Sequence, residues 1–386
     1  MVPFHVDYLI VGSGFAGLTV AERLATQCGK RVFVVDRRSH LGGNAYDFYD
    51  AHGVLIHAYG PHYFRTNSKL IRNYLSLFTE WHPVEYKILS HAENRYWNFP
   101  INLNTFEQFF GRPSTSEEME QWLSEHRVPI ESPANSEEVI ISQVGWELYE
   151  KFFKGYTLKQ WKRHPRDLDA SVCGRIPIRT NRDDRYLREE FQALPKEGYT
   201  RMFEKMVEAA GDHLTLQLNT DYRDLLSSVS FDHMIYTGAI DDYFHYCYGP
   251  LPYRSLRFEP QSFTPEQLVT REEISGKKGY WQPAMQVNYP NEESFTRIVE
   301  IKHATGQQCE NTTIVREYPD DYEPGKEAYY PIPAPDAAAL YQRYKALADQ
   351  EKNTSFIGRL ATYRYYNMDQ VVGMALTEFN KLASKI

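Results

Sequence analysis

Three glycines within Gly12-Ser13-Gly14-Phe15-Ala16-Gly17 are the first residues whose type and spacing imply chemistry. Gly12 permits a tight turn, Gly14 lets a pyrophosphate approach the backbone, and Gly17 lets the following helix pack closely, so helix N–H groups and the helix dipole meet the phosphates. Such a triplet alone is weak evidence. Here an apolar strand, Tyr8-Leu9-Ile10-Val11, precedes it and a helix through Leu24 follows. A second strand, Arg31 to Val35, then ends at Asp36, about 20 residues past the motif, where a ribose-binding acid belongs. The next loop, Arg37-Arg38-Ser39-His40-Leu41-Gly42-Gly43-Asn44, adds a double glycine that lets backbone pass close to a ligand. A second group is basic: arginines cluster between Arg163 and Arg188, and planar guanidinium forks suit phosphate oxygens. Nothing else supplies a catalytic motor, since GxSxG, HExxH and metal-ligand spacings are all missing.

Several elements must position these groups. Gly-Pro punctuates an aromatic and histidine-rich stretch, Ile56 to Thr66, too distinctive for a plain loop. Thr105 with Gln108 and Thr115 with Glu118 form candidate capping boxes for two helices. Glu137 and Glu138 open a longer helix whose Ile140, Val144, Leu148 and Phe152 recur every fourth position as a core stripe, with Gly155 as its stop. Thr200 caps a further helix that carries Phe203, Met206, Val207 and Ala210 and ends at Gly211. Strands at 214–218 and 233–238 return to the first domain. Short strands at 285–289, 296–301 and 313–318 predict a mostly antiparallel sheet. A last strand, Ser355 to Arg359, leads to a helix capped by Asp369.

The totals narrow the function class. At 386 residues the chain exceeds one hydrophobic core, so two or three domains are expected. A net charge of -8 gives no global reason to bind nucleic acid or an acidic membrane. The four cysteines form no CxxC pair, which argues against a zinc site or a disulfide framework and fits a cytoplasmic location. No stretch is long and apolar enough to span a bilayer. The 29 tyrosines suit either amphipathic packing or a pocket lined with phenols, and composition does not choose between them.

Further motifs are Leu41 to Tyr46, Tyr59-Gly60-Pro61-His62, Phe99-Pro100-Ile101-Asn102-Leu103, Leu148 to Trp161, Arg175 to Arg179, and Gly358-Arg359 with Thr362-Tyr363-Arg364-Tyr365. Together with the glycine turn they run nearly the whole chain, which on them resembles the bacterial UDP-galactopyranose mutases. The resemblance implies an α/β fold with three units. A Rossmann-like FAD-binding domain takes 1–85, 200–245 and 335–386; a helical insertion domain with a mobile lid takes 101–190; an antiparallel β-sheet substrate domain takes 86–100, 191–199 and 246–334. It implies redox-neutral interconversion of pyranose and furanose forms of a nucleotide-linked sugar. It further implies that reduced FAD serves as the nucleophile, N5 attacking the anomeric carbon as the diphosphate leaves and a flavin iminium forming as the ring opens.

The resemblance also implies roles for particular residues. Arg175 and Arg297 hold the diphosphate, Arg175 on the lid between Arg166 and Arg179; Arg254, His62 and Arg65 stand near the reacting centre. Tyr156, Trp161, Tyr186, Asn288, Tyr318, Tyr365 and Asn367 bind substrate. Gly12, Gly14, Phe15, Ala16, Gly17, Asp36, Arg37, Gly43, Asn44, His62, Arg359 and Met368 bind FAD. No metal is expected. The implied partners are a nucleotide sugar, an external reductant such as NAD(P)H, and a second copy of the chain in a homodimer, with neither nucleic acid nor membrane.

Three positions depart from the family pattern: Arg65 replaces a histidine, Asn367 an aspartate, and Lys162 the glycine after Trp161. Arg65 and Asn367 leave open an N-acetylated or deoxygenated sugar, or another nucleotide. Competing expectations are a flavin oxidoreductase of the amine oxidase kind and a flavin-bearing binding protein.

Overall fold

The computed structural model describes residues 4–385. Its first unit is built on a five-stranded parallel sheet ordered Leu214–Gln217, Val32–Val35, Phe4–Val11, Val229–Tyr236 and Thr354–Phe356. Val32–Val35 and the Tyr8–Val11 half of its neighbour are continuous apolar runs, as suits strands of a parallel sheet covered on both faces. Helix Phe15–Cys28 lies on the sheet and packs against the last helix, Met368–Ala383. The strands at 214–217 and 229–236 thus rejoin the first domain, as the sequence indicates.

A second sheet has seven strands, ordered Tyr330–Pro331, Tyr253–Phe263, Thr312–Asp321, Arg297–Val299, Gln286–Asn288, Ile88–Ala92 and Arg95–Phe99. It is antiparallel except where Gln286–Asn288 runs parallel to Ile88–Ala92. Its longest strand, Tyr253–Phe263, is absent from the sequence-based reading. Residues 191–199 do not join this sheet, contrary to expectation. Phe191–Pro195 pairs instead with Phe64–Thr66 and Trp81–Pro83, and Tyr199 opens the helix Tyr199–Ala210.

The helical unit buries Ile140, Val144, Leu148 and Phe152 as the stripe requires. Four local expectations change. Asn102, not Thr105, caps helix Leu103–Phe110, with Thr105 completing its capping box from the third position. The Thr115/Glu118 box is present. Gly198 stands at the cap of Tyr199–Ala210, and that helix's first N–H groups are met by Asp47, which accepts from Tyr199 and Thr200 at 2.7 and 2.8 Å. Asn367, with Gln370, caps the last helix in place of Asp369. Gly155 does not stop its helix: the chain passes from Ser136–Tyr149 through a wide turn at Glu150–Lys154 into helix Gly155–Trp161.

No helix among the described residues is long and apolar enough to cross a membrane, and no group of metal-ligating side chains occurs among them.

Candidate active site

The glycine turn forms a cradle with no room for a side chain at Gly12 or Gly17. A Cβ on Gly12, where φ is +105°, would lie 2.1 Å from Thr237 Oγ1, and one on Gly17 would lie 1.9 Å from the Gly12 carbonyl oxygen. Gly14 sits at the helix N-cap without a side-chain cap, leaving the first-turn N–H groups to an anion. Gly43 crosses close to Gly14, and the Gly42 N–H donates to the Ser13 carbonyl at 2.9 Å. This geometry fits the pyrophosphate of a dinucleotide such as FAD. Phe15 and Ala16 offer only their main chain, because both side chains are buried, the Phe15 ring against Tyr199 and Phe203. Asp36 ends the second strand as expected, but its Oδ2 accepts from the Ser13 N–H and hydroxyl at 2.8 and 2.7 Å, and its Oδ1 from the Arg38 N–H at 2.9 Å. The carboxylate therefore organises the loop itself.

Arg37 points outward, mostly exposed and paired with Glu327 at 3.1 Å. Its neighbour Arg38 is the inward residue. It pairs with Glu327 at 2.5 Å, donates to Asn44 Oδ1 at 2.8 Å, and lies 4.3 Å from the centre of the Tyr59 ring. Position along the loop gives no hint of which arginine turns in.

Beyond the cradle opens a cleft of about 1480 Å³. Asn44, which follows Gly43, lines it with Tyr59, His62 and Met368, and so do Arg175, Arg297 and Arg359 with Tyr156, Trp161, Tyr186, Tyr330 and Tyr365. The three arginines come from different units: the segment after the short helix Ser171–Gly174, the strand Arg297–Val299, and the turn after Thr354–Phe356. Arg175 is open to solvent within the cleft, 4.7 Å from the centre of the Tyr365 ring. Arg359 lies 5.2 Å from the same ring and donates to the Tyr366 carbonyl at 2.6 Å. Desolvation alone would raise the Tyr365 pKa, but Arg175 and Arg359 outweigh it and draw the phenol down to about 8.

Register places a polar row across the sheet. Asn288 pairs with Arg297, and Arg297 with Glu317, so the three side chains share the face toward the cleft. Arg297 Nη2 lies 2.7 Å from Glu317 Oε2, and Glu317 is fully buried. Desolvation opposes the Arg297 charge, but Glu317 holds its pKa well above the ordinary value. Because strand side chains alternate, Tyr318 faces away from Glu317. Its ring packs against Phe295 and under Arg257, 4.0 Å from the guanidinium carbon, and is not part of the cleft wall. The phenol in the cleft is Tyr330, which the sequence reading missed along with Glu317. The alternation within 312–321 could have directed attention to Glu317.

Arg254 is also outside the cleft wall. It is 4% exposed, donates from Nε to the Gln160 carbonyl at 3.0 Å, and pairs with Asp321 at 2.6 Å. It straps the sheet to the end of helix Gly155–Trp161. Lys162 joins this strap through Asp321. Its backbone is left-handed, φ +52° and ψ +28°, at the helix C-cap, which explains why glycine suits that position.

His62 lines the cleft with its Nδ1 2.9 Å from the Gly60 carbonyl, and its N–H donates to His57 Nδ1 at 3.1 Å. Desolvation lowers both imidazoles to about 3, so both are neutral and His62 presents Nε2 as an acceptor. Arg65 pairs with Glu189 at 3.0 Å and donates from Nη2 to Asn367 Oδ1 at 2.9 Å. Two of the three departures from the family pattern thus touch each other on the cleft wall.

A family model described as UDP-galactopyranose mutase matches residues 151–365, and one for an NAD(P)-binding Rossmann-like domain matches residues 10–78. A Klebsiella pneumoniae protein named "Probable UDP-galactopyranose mutase" is 36% identical over 386 residues, covering 98% of this chain and 95% of that protein. The dTDP-fucopyranose mutase of Escherichia coli is 31% identical over 375 residues, covering 95% and 96%. Among solved structures, reduced UDP-galactopyranose mutase matches with a TM-score of 0.75 at 16% identity, covering 99% of this chain and 96% of that one. Putrescine oxidase bound to putrescine matches with a TM-score of 0.59 at 14% identity, covering 99% of each. Such identities speak for a shared fold, whereas the family model and the full-length relatives speak for descent. The chain belongs to the UDP-galactopyranose mutase family, a family of isomerases.

Proposed function

We propose that this protein interconverts the pyranose and furanose forms of a nucleotide-linked hexose, UDP-galactose in the first instance, with FAD in the glycine cradle. The observation that carries the reading is the convergence of Arg175, Arg297 and Arg359 with four phenols on one cleft beside that cradle. Its volume, about 1480 Å³, exceeds the roughly 300–1000 Å³ of a single-ligand site, which fits a flavin ring and a nucleotide sugar together. Reduced flavin supplies a nucleophile for the anomeric carbon. Arg175 and Arg297 take the diphosphate as it leaves, Tyr156, Tyr186, Tyr330 and Tyr365 donate to its oxygens, and the segment carrying Arg175 excludes water from the reacting sugar. His62, neutral, accepts a hydrogen bond rather than delivering charge.

An amine oxidase activity, suggested by the shared fold, fits poorly: an ammonium substrate would enter a cleft lined by cations. A second reading concerns the sugar. Arg65 and Asn367, in contact at 2.9 Å, favour an N-acetylated or deoxygenated hexose, and one relative is named for a dTDP-linked sugar.

The test is product analysis by chromatography after dithionite reduction, on UDP-galactose, UDP-N-acetylgalactosamine and a dTDP-linked deoxyhexose. Furanose product without stoichiometric use of reductant is expected, with NAD(P)H replacing dithionite as the external reductant. Stoichiometric consumption of an oxidant or reductant would overturn the mutase reading. Efficient turnover of UDP-galactose alone would remove the second reading.

A further inference from the structure

The wall beside Arg297 carries a hydrogen-bonded chain whose direction is set by its first member. Tyr63, after His62, stacks on Tyr86 with ring centroids 4.1 Å apart and donates its hydroxyl proton to Gln286 Oε1 at 2.6 Å. The Gln286 amide nitrogen donates to Asn288 Oδ1 at 2.8 Å. Burial raises the Tyr63 pKa well above the phenol range, so its proton is always there to give. Reversing the Gln286 amide would set an NH2 against the phenol and leave that proton without a protein acceptor among the described residues. An unmade buried hydrogen bond of this kind costs about 1–3 kcal/mol.

The consequence falls on Asn288. Its oxygen is taken by Gln286, so what remains for the cleft is its NH2, which has no acceptor among the described residues. All three residues line the cleft, Asn288 is only 8% exposed, and its strand position pairs it with Arg297.

We propose that Tyr63 and Gln286 are positioning residues that lock Asn288 as a hydrogen-bond donor toward an acceptor oxygen on the sugar, next to the diphosphate held by Arg297. This rests on the proposed function for the identity of the ligand. The site then distinguishes sugars bearing a hydroxyl or an acetamido carbonyl at that point from those lacking an acceptor there. A group that can only donate is rejected, because two donors would face each other.

The relay is tested in the oxidised holoenzyme by the affinities of UDP-galactose and of UDP, for wild type, Tyr63→Phe, Gln286→Glu, Asn288→Ala and the double variant Tyr63→Phe/Asn288→Ala. Flavin absorbance and the melting temperature verify folding. Tyr63→Phe is expected to weaken UDP-galactose about 3- to 10-fold, the scale of one hydrogen bond, with UDP unchanged. Gln286→Glu, nearly isosteric but only an acceptor, forces Asn288 to turn its NH2 inward and is expected to weaken UDP-galactose at least as much. In the Asn288→Ala background the Tyr63→Phe loss should vanish. A Tyr63→Phe loss of equal size with and without Asn288, or equal losses for UDP, would overturn the relay. A ligand-independent measurement separates the two claims: side-chain amide exchange in selectively 15N-labelled holoenzyme. A slowly exchanging Gln286 proton that Tyr63→Phe releases is expected even if no nucleotide sugar binds, which would count against the proposed function alone. Rapid exchange of both Gln286 protons in wild type would overturn the relay.

Discussion

Tyr365 is the side chain whose state the surrounding charges control most directly. Its phenol lies between Arg175 and Arg359 and is drawn down to about 8. With the nucleotide sugar bound as proposed, the neutral phenol would donate to a phosphate oxygen below that pH; as pH rises through 8 it would lose the donor and become an anion paired with Arg175. KM for the nucleotide sugar should therefore rise above pH 8 in wild type. In Tyr365→Phe it should be about tenfold higher at neutral pH but lack that alkaline limb. A pH series of kcat and KM for both proteins checks this, and an unchanged limb in the variant would remove Tyr365 as its source. Arg297 separates stability from function in another way. Removing it by Arg297→Ala leaves the fully buried Glu317 carboxylate without its counter-charge, at a cost of about 3–5 kcal/mol. Arg297→Ala/Glu317→Leu should recover the melting temperature while turnover stays lost. Recovery of both would mean that Arg297 acts only as a partner for Glu317.

At the scale of elements, the approach of helix Gly155–Trp161 to the turn between Gln286–Asn288 and Arg297–Val299 sets the cleft's width. Lys159 donates to the carbonyls of Tyr289, Glu293 and Phe295 in that turn, and a Cβ on Gly155 would stand 2.4 Å from the Pro290 carbonyl oxygen. Gly155→Ala should push the helix bearing Tyr156 and Trp161 off the strands bearing Asn288 and Arg297. Overpacking of this kind costs about 1–3 kcal/mol. Thermal melts should register that loss, together with a higher KM; an unchanged melting temperature would show that the turn yields freely. Gly155 also marks what the sequence conveys and what it withholds. The glycine cradle, the parallel strands and the helical stripe are local patterns of period and turn chemistry, so they were legible. Gly155 reads as a helix stop because only the folded chain brings Pro290 against it. For the same reason Arg254 read as a reactive group, when distant Asp321 and Gln160 engage it. Tyr318 is placed in the site from sequence because excluding it requires the strand's facing, which Glu317 reveals by its burial.

The whole molecule surrounds its cleft with units that meet through several ion pairs, one group of them beside the cradle. Glu327, from the segment between strands Thr312–Asp321 and Tyr330–Pro331 of the large sheet, binds both Arg37 and Arg38 of the nucleotide loop. Arg38 in turn holds Asn44 at the cleft wall, so this clasp joins the sheet unit to the cofactor loop. Desolvation would raise the Glu327 pKa, but the hydrogen bond and charge of Arg38 lower it below the ordinary carboxylate value. A depressed carboxyl contributes stability that is present above its unfolded pKa and lost as pH falls through the folded one. The clasp should thus hold at neutral pH and open in acid, leaving the largely buried Arg38 uncompensated. FAD release, followed by the rise of free-flavin fluorescence, should therefore accelerate in acid, once pH falls below the ordinary carboxylate range. Glu327→Gln keeps the side chain's shape without its charge, so at pH 7 it should release FAD faster than wild type and depend less on pH below 5. Wild-type retention at pH 7 in Glu327→Gln would mean that contacts other than this clasp, such as those of Asp50 with Ser262 and Thr313, hold the two units around the cofactor.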